Sequence, residues 1–246
     1  MSGLVLAAQY LTIVPLGRSP THEGAAGRSA AWFPVVGLGI GLTIVVVERV
    51  TGRIFPTLLA ALLTVTAWKL LTGGLHLDGL ADCLDGLAGR DPEQRIRIMR
   101  DGRIGAFGAV GLILFLLMEV VAVAELTAVL RWRALLAAPA VARALPPLLA
   151  RWFPPARPDG HGAAFAAGVQ PVAVPLALGL AALLALGALG LVGIVALAAA
   201  ALAALAVAWL MAGRLGGITG DVHGAAVEIA ELTVLLTVAA WAHVAR

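Results

Sequence analysis

Asp78, Asp82 and Asp85 stand at i, i+4 and i+7 within residues 72–105, a charged stretch in an otherwise apolar chain. A helix begun near Leu75 advances about 3.6 residues per turn, which sets the three carboxylates on one narrow stripe. Like charges so placed repel one another unless something positive lies between them. A divalent cation fits best, because Mg²⁺ and Mn²⁺ take hard oxygen ligands and several carboxylates offset their dehydration. Asp78, Asp82 and Asp85 are therefore the expected metal ligands, and Asp82, at the centre, the expected catalytic carboxylate. Leu77, Leu80, Leu84 and Leu87 lie on the opposite face, so the helix is amphipathic with its acidic side towards water. Gly79 and Gly86 flank the stripe as candidate substrate-contact positions, where a missing side chain lets a ligand or a neighbouring helix come close.

Asp91-Pro92-Glu93-Gln94 reads as an N-cap, a proline at the first helical position and a capping glutamine, opening a short helix that runs to about Arg100. Guanidinium groups beside a metal-binding stripe are what a diphosphate needs, since they match its oxygens in pairs. Arg103, with Arg100, is the expected substrate ligand. Asp221 and Glu228 are again seven apart, and Gly216, Gly217, Gly220 and Gly224 crowd the start of their helix. There Gly217 would let backbone N–H groups approach phosphate. His76 and His223 adjoin these patches and are expected to be structural. Arg143, deep in an apolar run, is expected to pair with Glu119 or Glu125, and Lys69 to snorkel to water.

The elements that position these groups are membrane helices. With 61% hydrophobic residues, 13% charged residues and a mean hydropathy of +0.99, the chain lies far outside the soluble range. No basic stretch is interleaved with aromatics, so the net charge of +3 is not read as nucleic-acid binding. A lone cysteine, Cys83, excludes an internal disulfide. The expected fold class is all-α, a polytopic integral membrane protein: one domain over 1–246, about seven transmembrane helices and an interfacial N-terminal helix ended by Pro15. The spans are expected at 30–47, 55–71, 104–126, 134–150, two within 171–213 joined near Gly190–Gly193, and 225–244. Alternating them gathers the loops 17–29, 72–103, 151–168 and 214–224 on one side, with Arg18, Arg28, the arginines of 72–103, Arg151, Arg157 and Arg214. Arg49, Arg53, Arg131, Arg133 and Arg246 fall on the other. The positive-inside rule makes the first side, with the catalytic loop 72–103, cytoplasmic.

The chain resembles the cobalamin synthase, or adenosylcobinamide-GDP ribazoletransferase, family almost end to end. QYLTIVP, WFPVVG, LTGGLHLDGLADCLDG, IMRDGRIGAFG, GHGAAF and LGGITGDVHGAAVEIAEL carry the resemblance, and the aspartate motif with the arginine segment after it is specific in combination. The resemblance implies a Mg²⁺-dependent enzyme of the cell (inner) membrane. It would join adenosylcobinamide-GDP to α-ribazole, or to its 5′-phosphate, and release GMP in the last assembly step of cobalamin. Asp101 or Asp221 would then accept the hydroxyl proton. A CDP-alcohol phosphotransferase uses similar paired aspartates and is the rival among enzymes. An ion-coupled transporter using Glu119, Glu228 and Glu231 is the rival from another class. Oligomeric state is not legible.

Overall fold

An apolar chain in lipid must satisfy its backbone internally, and these runs do so as helices. The computed structural model describes residues 2–17 and 24–245; Arg18, His22 and Arg246 lie outside them. In chain order the helices are α1 (Gly3–Leu11), α2 (Ala25–Arg28), a 3₁₀ turn (Ala30–Trp32), α3 (Phe33–Ile54), α4 (Thr57–Leu71), α5 (Leu75–Gly86) and α6 (Pro92–Met99). There follow α7 (Ala106–Glu125), α8 (Ala128–Arg143), α9 (Leu145–Trp152), α10 (His161–Gly168), α11 (Ala173–Leu189), α12 (Leu191–Leu215) and α13 (Gly220–Val244). Among the described residues the only β pairing is an isolated bridge between Pro155 and Ile218.

Five segments are long and apolar enough to cross a bilayer: Ala30–Ile54, Ala106–Glu125, Ala128–Trp152, Leu191–Leu215 and Gly220–Val244. α4 and α11 reach that length only when joined to α5 and α10 across bends of 91°, so the described residues hold five to seven helices able to span. Each expected span matches one of these helices, and the expected hairpin turn falls at Gly190, whose φ is +64°. Two boundaries differ. α3 continues through residues 48–53, which hydropathy reads as a turn, because Glu48 is buried there against Arg131 at 3.2 Å. α1 ends at Leu11, before Pro15, and the Ile13 amide is bound to the Leu71 carbonyl.

Lipid tails do not drive helices together by the hydrophobic effect, so close packing of small residues must. Gly37 and Gly41 let the α3 backbone touch that of α8 around Pro139 and Leu136. Ala196, Ala200, Ala204 and Ala208 bury one stripe of α12, while Leu191, Leu202 and Trp209 face outward.

Buried charges tie four helices together. Lys69 of α4 is bound to Glu119 of α7 at 3.0 Å, and to Glu228 and Glu231 of α13, the latter at 3.2 Å. Arg143 of α8 pairs with Glu231 and donates to the Pro139 carbonyl at 3.2 Å. This corrects two expectations. Lys69 is held inside by three carboxylates and does not snorkel, and the partner of Arg143 is Glu231, since Lys69 has taken Glu119.

Candidate active site

α4 stops where Gly73 and Gly74 take φ of +64° and +67°, a left-handed pair that side chains rarely adopt. The chain then turns by 91° and α5 runs across the first turns of α13 and α7. Gly79 permits the first crossing, because a Cβ there would lie 2.7 Å from the Asp221 carbonyl oxygen. The second is fixed by Asp85, which is buried and accepts the Gly105 and Gly108 amides at 2.7 and 2.8 Å. A carboxylate in that position caps α7 and meets the positive end of its dipole.

The stripe is thereby graded in depth. Asp78 is exposed, Asp82 half-buried and Asp85 buried. Burial, and then the like charges of Asp78, Asp221 and Asp85, push the Asp82 carboxyl up to about 7. A group held so far above the usual carboxylate range by its neighbours is one that a cation would relieve. The groups of the cleft able to ligate a cation include the carboxylates of Asp78 and Asp82, hard oxygen donors of the kind that Mg²⁺ selects. The stripe is not a closed cage. Among the described residues, the carboxylates gathered within 4.8 Å of one another are Glu119, Glu228 and Glu231, where Lys69 already sits. An open set still suits Mg²⁺, which keeps several waters and shares itself between one or two carboxylates and substrate phosphate.

α6 forms as its sequence predicts. Asp91 accepts the Gln94 amide at 2.7 Å, and the Gln94 side chain accepts the Arg90 amide at 2.7 Å. Arg100 and Arg103 follow, both exposed, beside Asp78, Asp82 and Asp101 on the wall of a cavity of about 650 Å³. Arg103 grips Asp101 with two nitrogens, Nε to Oδ1 at 3.0 Å and a terminal nitrogen to Oδ2 at 2.6 Å. That hydrogen-bonded guanidinium lowers the Asp101 carboxyl, which makes it a poor proton acceptor near neutrality.

A second cavity, about 300 Å³, opens on the other side of α5, and Asp78 and Leu75 line both. Asp221 stands at its edge in the first turn of α13. Thr219 caps that turn and donates to Asp221 Oδ2 at 3.1 Å. The turn is held by the loop at Pro154–Ala156: the Ile218 amide meets the Pro154 carbonyl at 2.9 Å, and the Ala156 amide meets the Ile218 carbonyl at 2.9 Å.

Asp78, Asp82, Asp101, Arg100, Arg103 and Asp221 thus meet on one side of the molecule. The expected substrate-contact glycines do not open onto it. The space beside Gly79 is filled by Asp221 backbone, that beside Gly86 by Met99 and that beside Gly217 by Pro154–Ala156, so their closeness serves packing. Burial raises the Cys83 thiol well above its ordinary range, so no thiolate is available there. Sequence reasoning missed the second cavity. It passed over Tyr10, Phe33 and Phe165, and set His76 and His223 aside as structural. The signal was that these residues lie in five separate motifs of the family resemblance.

Comparison with known proteins shows the family. A family model described as cobalamin-5-phosphate synthase matches residues 3–239. An adenosylcobinamide-GDP ribazoletransferase of Bradyrhizobium diazoefficiens is 42% identical, over 98% of this chain and 94% of its own. Proteins of the same name from Geotalea daltonii and Pseudomonas paraeruginosa are 40% and 41% identical, covering 96% and 97% of this chain and 96% and 98% of theirs. No solved structure matches.

Proposed function

Because the chain belongs to the cobalamin-5-phosphate synthase family, we infer that it is the membrane enzyme of the final cobalamin assembly step, which joins adenosylcobinamide-GDP to α-ribazole. The observation that carries the reading is Asp78, which lines both cavities: a donor on one side of α5 and an acceptor on the other would meet at the carboxylate stripe.

The reaction forms a bond between a ribose hydroxyl oxygen of the acceptor, other than the 5′-oxygen, and the cobinamide-linked phosphorus, and breaks the bond from that phosphorus to the oxygen of departing GMP. α-Ribazole 5′-phosphate in place of the nucleoside would give the 5′-phosphate of the product. Asp221 is the group best placed to take the hydroxyl proton, since it lines the smaller cavity beside the stripe, whereas Asp101 is tied to Arg103. Arg100 and Arg103 grip the diphosphate, the Arg103 fork exchanging a carboxylate for phosphate oxygens. Asp78 and Asp82 would hold Mg²⁺, with Asp85 fixing the helix that carries them. The ion supplies neutralisation of the charge on the diphosphate. The excess of arginines on the site's side supports the reading that the site faces the cytoplasm, by the positive-inside rule.

Purified protein in detergent, supplied with each nucleotide donor and each acceptor, tests this. GMP release from adenosylcobinamide-GDP that requires both α-ribazole and Mg²⁺ is expected. CMP release from a CDP-alcohol, or solute uptake by protein in liposomes without GMP release, refutes it.

A further inference from the structure

The cavity of about 300 Å³ has a character unlike that of its larger neighbour. Its wall is a set of three rings. Tyr10 and Phe33 lie 5.9 Å apart at centroids, Tyr10 and Phe165 6.2 Å, and Phe33 and Phe165 5.8 Å, all within 22° of parallel. His223 meets the edge of Phe165 at 5.3 Å. His76 and His223 are more than nine-tenths buried, both line the cavity, and the Nδ1 of each lacks a hydrogen-bond partner. Buried polar atoms in a membrane protein are ordinarily satisfied, so two unpartnered imidazole nitrogens lining one small aromatic space point to a ligand that brings its own polar atom.

Resting on the function inferred above, we propose that this cavity is the subsite for the planar aza-aromatic base of the acceptor nucleoside, stacked parallel to Tyr10, Phe33 and Phe165 with a ring nitrogen hydrogen-bonded to His76 or His223. The competing occupant is the guanine of the donor. Size and chemistry favour the acceptor. At about 300 Å³ the space is at the small end of ligand pockets, about 300–1,000 Å³, and takes one base with its sugar. A base with one free ring nitrogen asks for one partner, whereas guanine presents donors and acceptors along its whole edge and would leave several unmet among aromatic walls. Arg100 and Arg103, the guanidinium pair that suits a nucleoside diphosphate, lie across α5 in the larger cavity. Asp221, moreover, stands at the edge of the aromatic cavity, where the ribose hydroxyl of a nucleoside seated there must lose its proton.

Two measurements on Phe165→Leu in full-length detergent-purified protein test the assignment. The KM values of α-ribazole and of adenosylcobinamide-GDP are compared, and the direct binding of α-ribazole and of GMP is titrated calorimetrically. Loss of a base–aromatic stack is expected to weaken α-ribazole about 5- to 100-fold in both assays, with adenosylcobinamide-GDP and GMP unchanged. A shift in the donor's KM or in GMP binding instead puts guanine in the cavity and overturns the proposal, as does no shift in either. Should Phe165→Leu unfold early, Tyr10→Leu, at a half-buried position on α1, is read in the same way. The two readings fail separately. Wild-type protein that releases no GMP from its substrates refutes the reaction, while the titrations still decide the cavity without turnover.

Discussion

The three aspartates of the stripe share a residue type and a helix face but not a task, because burial and partners differ. Asp82→Asn should leave the fold intact and lower the rate of Mg²⁺-dependent GMP release about 10²- to 10³-fold, the usual size of a lost electrostatic contact in a transition state. Unchanged turnover would remove Asp82 from the site. Asp85→Ala should act differently. It strands the Gly105 and Gly108 amides, and a buried donor left unmet costs about 1–3 kcal/mol, so a lower thermal midpoint in detergent is expected alongside any loss of activity. Protonation separates them further. The folded-state carboxyl of Asp82 is raised to about 7, so its contribution to stability is fully present below its unfolded value and is lost as pH rises through about 7. Metal-free protein should therefore melt at a lower temperature at pH 8 than at pH 6, and Mg²⁺ should raise the midpoint more at pH 8. The reverse trend would show that burial and like charge do not govern this group.

At the scale of elements, the crossing of α5 over α13 decides whether the stripe meets Asp221. Gly79→Ala puts a methyl group against the Asp221 backbone, which cannot yield as a side chain can, so the helices must part. Overpacking of this kind costs about 1–3 kcal/mol and should also lower turnover by separating Asp78 from Asp221. Gly213→Ala within α12 is the control, for nothing lies within 4 Å of its added carbon; there a more helix-favouring residue should leave stability equal or raise it by up to about 1 kcal/mol. Midpoints that fall equally in the two would deny the crossing its role. α5 itself was legible in sequence because the period of its aspartates and leucines is local. What its glycines face was not, since a gap beside a glycine looks the same whether a substrate or another helix fills it.

Across the whole molecule, hydropathy located every span, yet it could not pair the charges inside them. Lys69 reads alone as a residue near enough to a helix end to reach water, and only the assembly of α4, α7, α8 and α13 shows it among Glu119, Glu228 and Glu231. Removing it leaves uncompensated carboxylates in the bundle, a loss of about 3–5 kcal/mol in comparable buried pairs. Lys69→Met should consequently yield little folded protein, and adding Glu228→Gln should restore part of it, as read by size-exclusion recovery from detergent extracts. Orientation belongs to this scale too. By the positive-inside rule the arginine asymmetry predicts a cytoplasmic stripe, with Arg133, just after Arg131 near the start of α8, at the opposite end. The single native Cys83 is buried and reacts slowly, so introduced cysteines report on their own positions. Arg103→Cys should resist an impermeant maleimide in intact cells and react once the membrane is opened, because nothing in the fold covers it. Labelling of Arg103→Cys in intact cells would invert the molecule and place phosphoryl transfer on the side away from the cell's nucleotides.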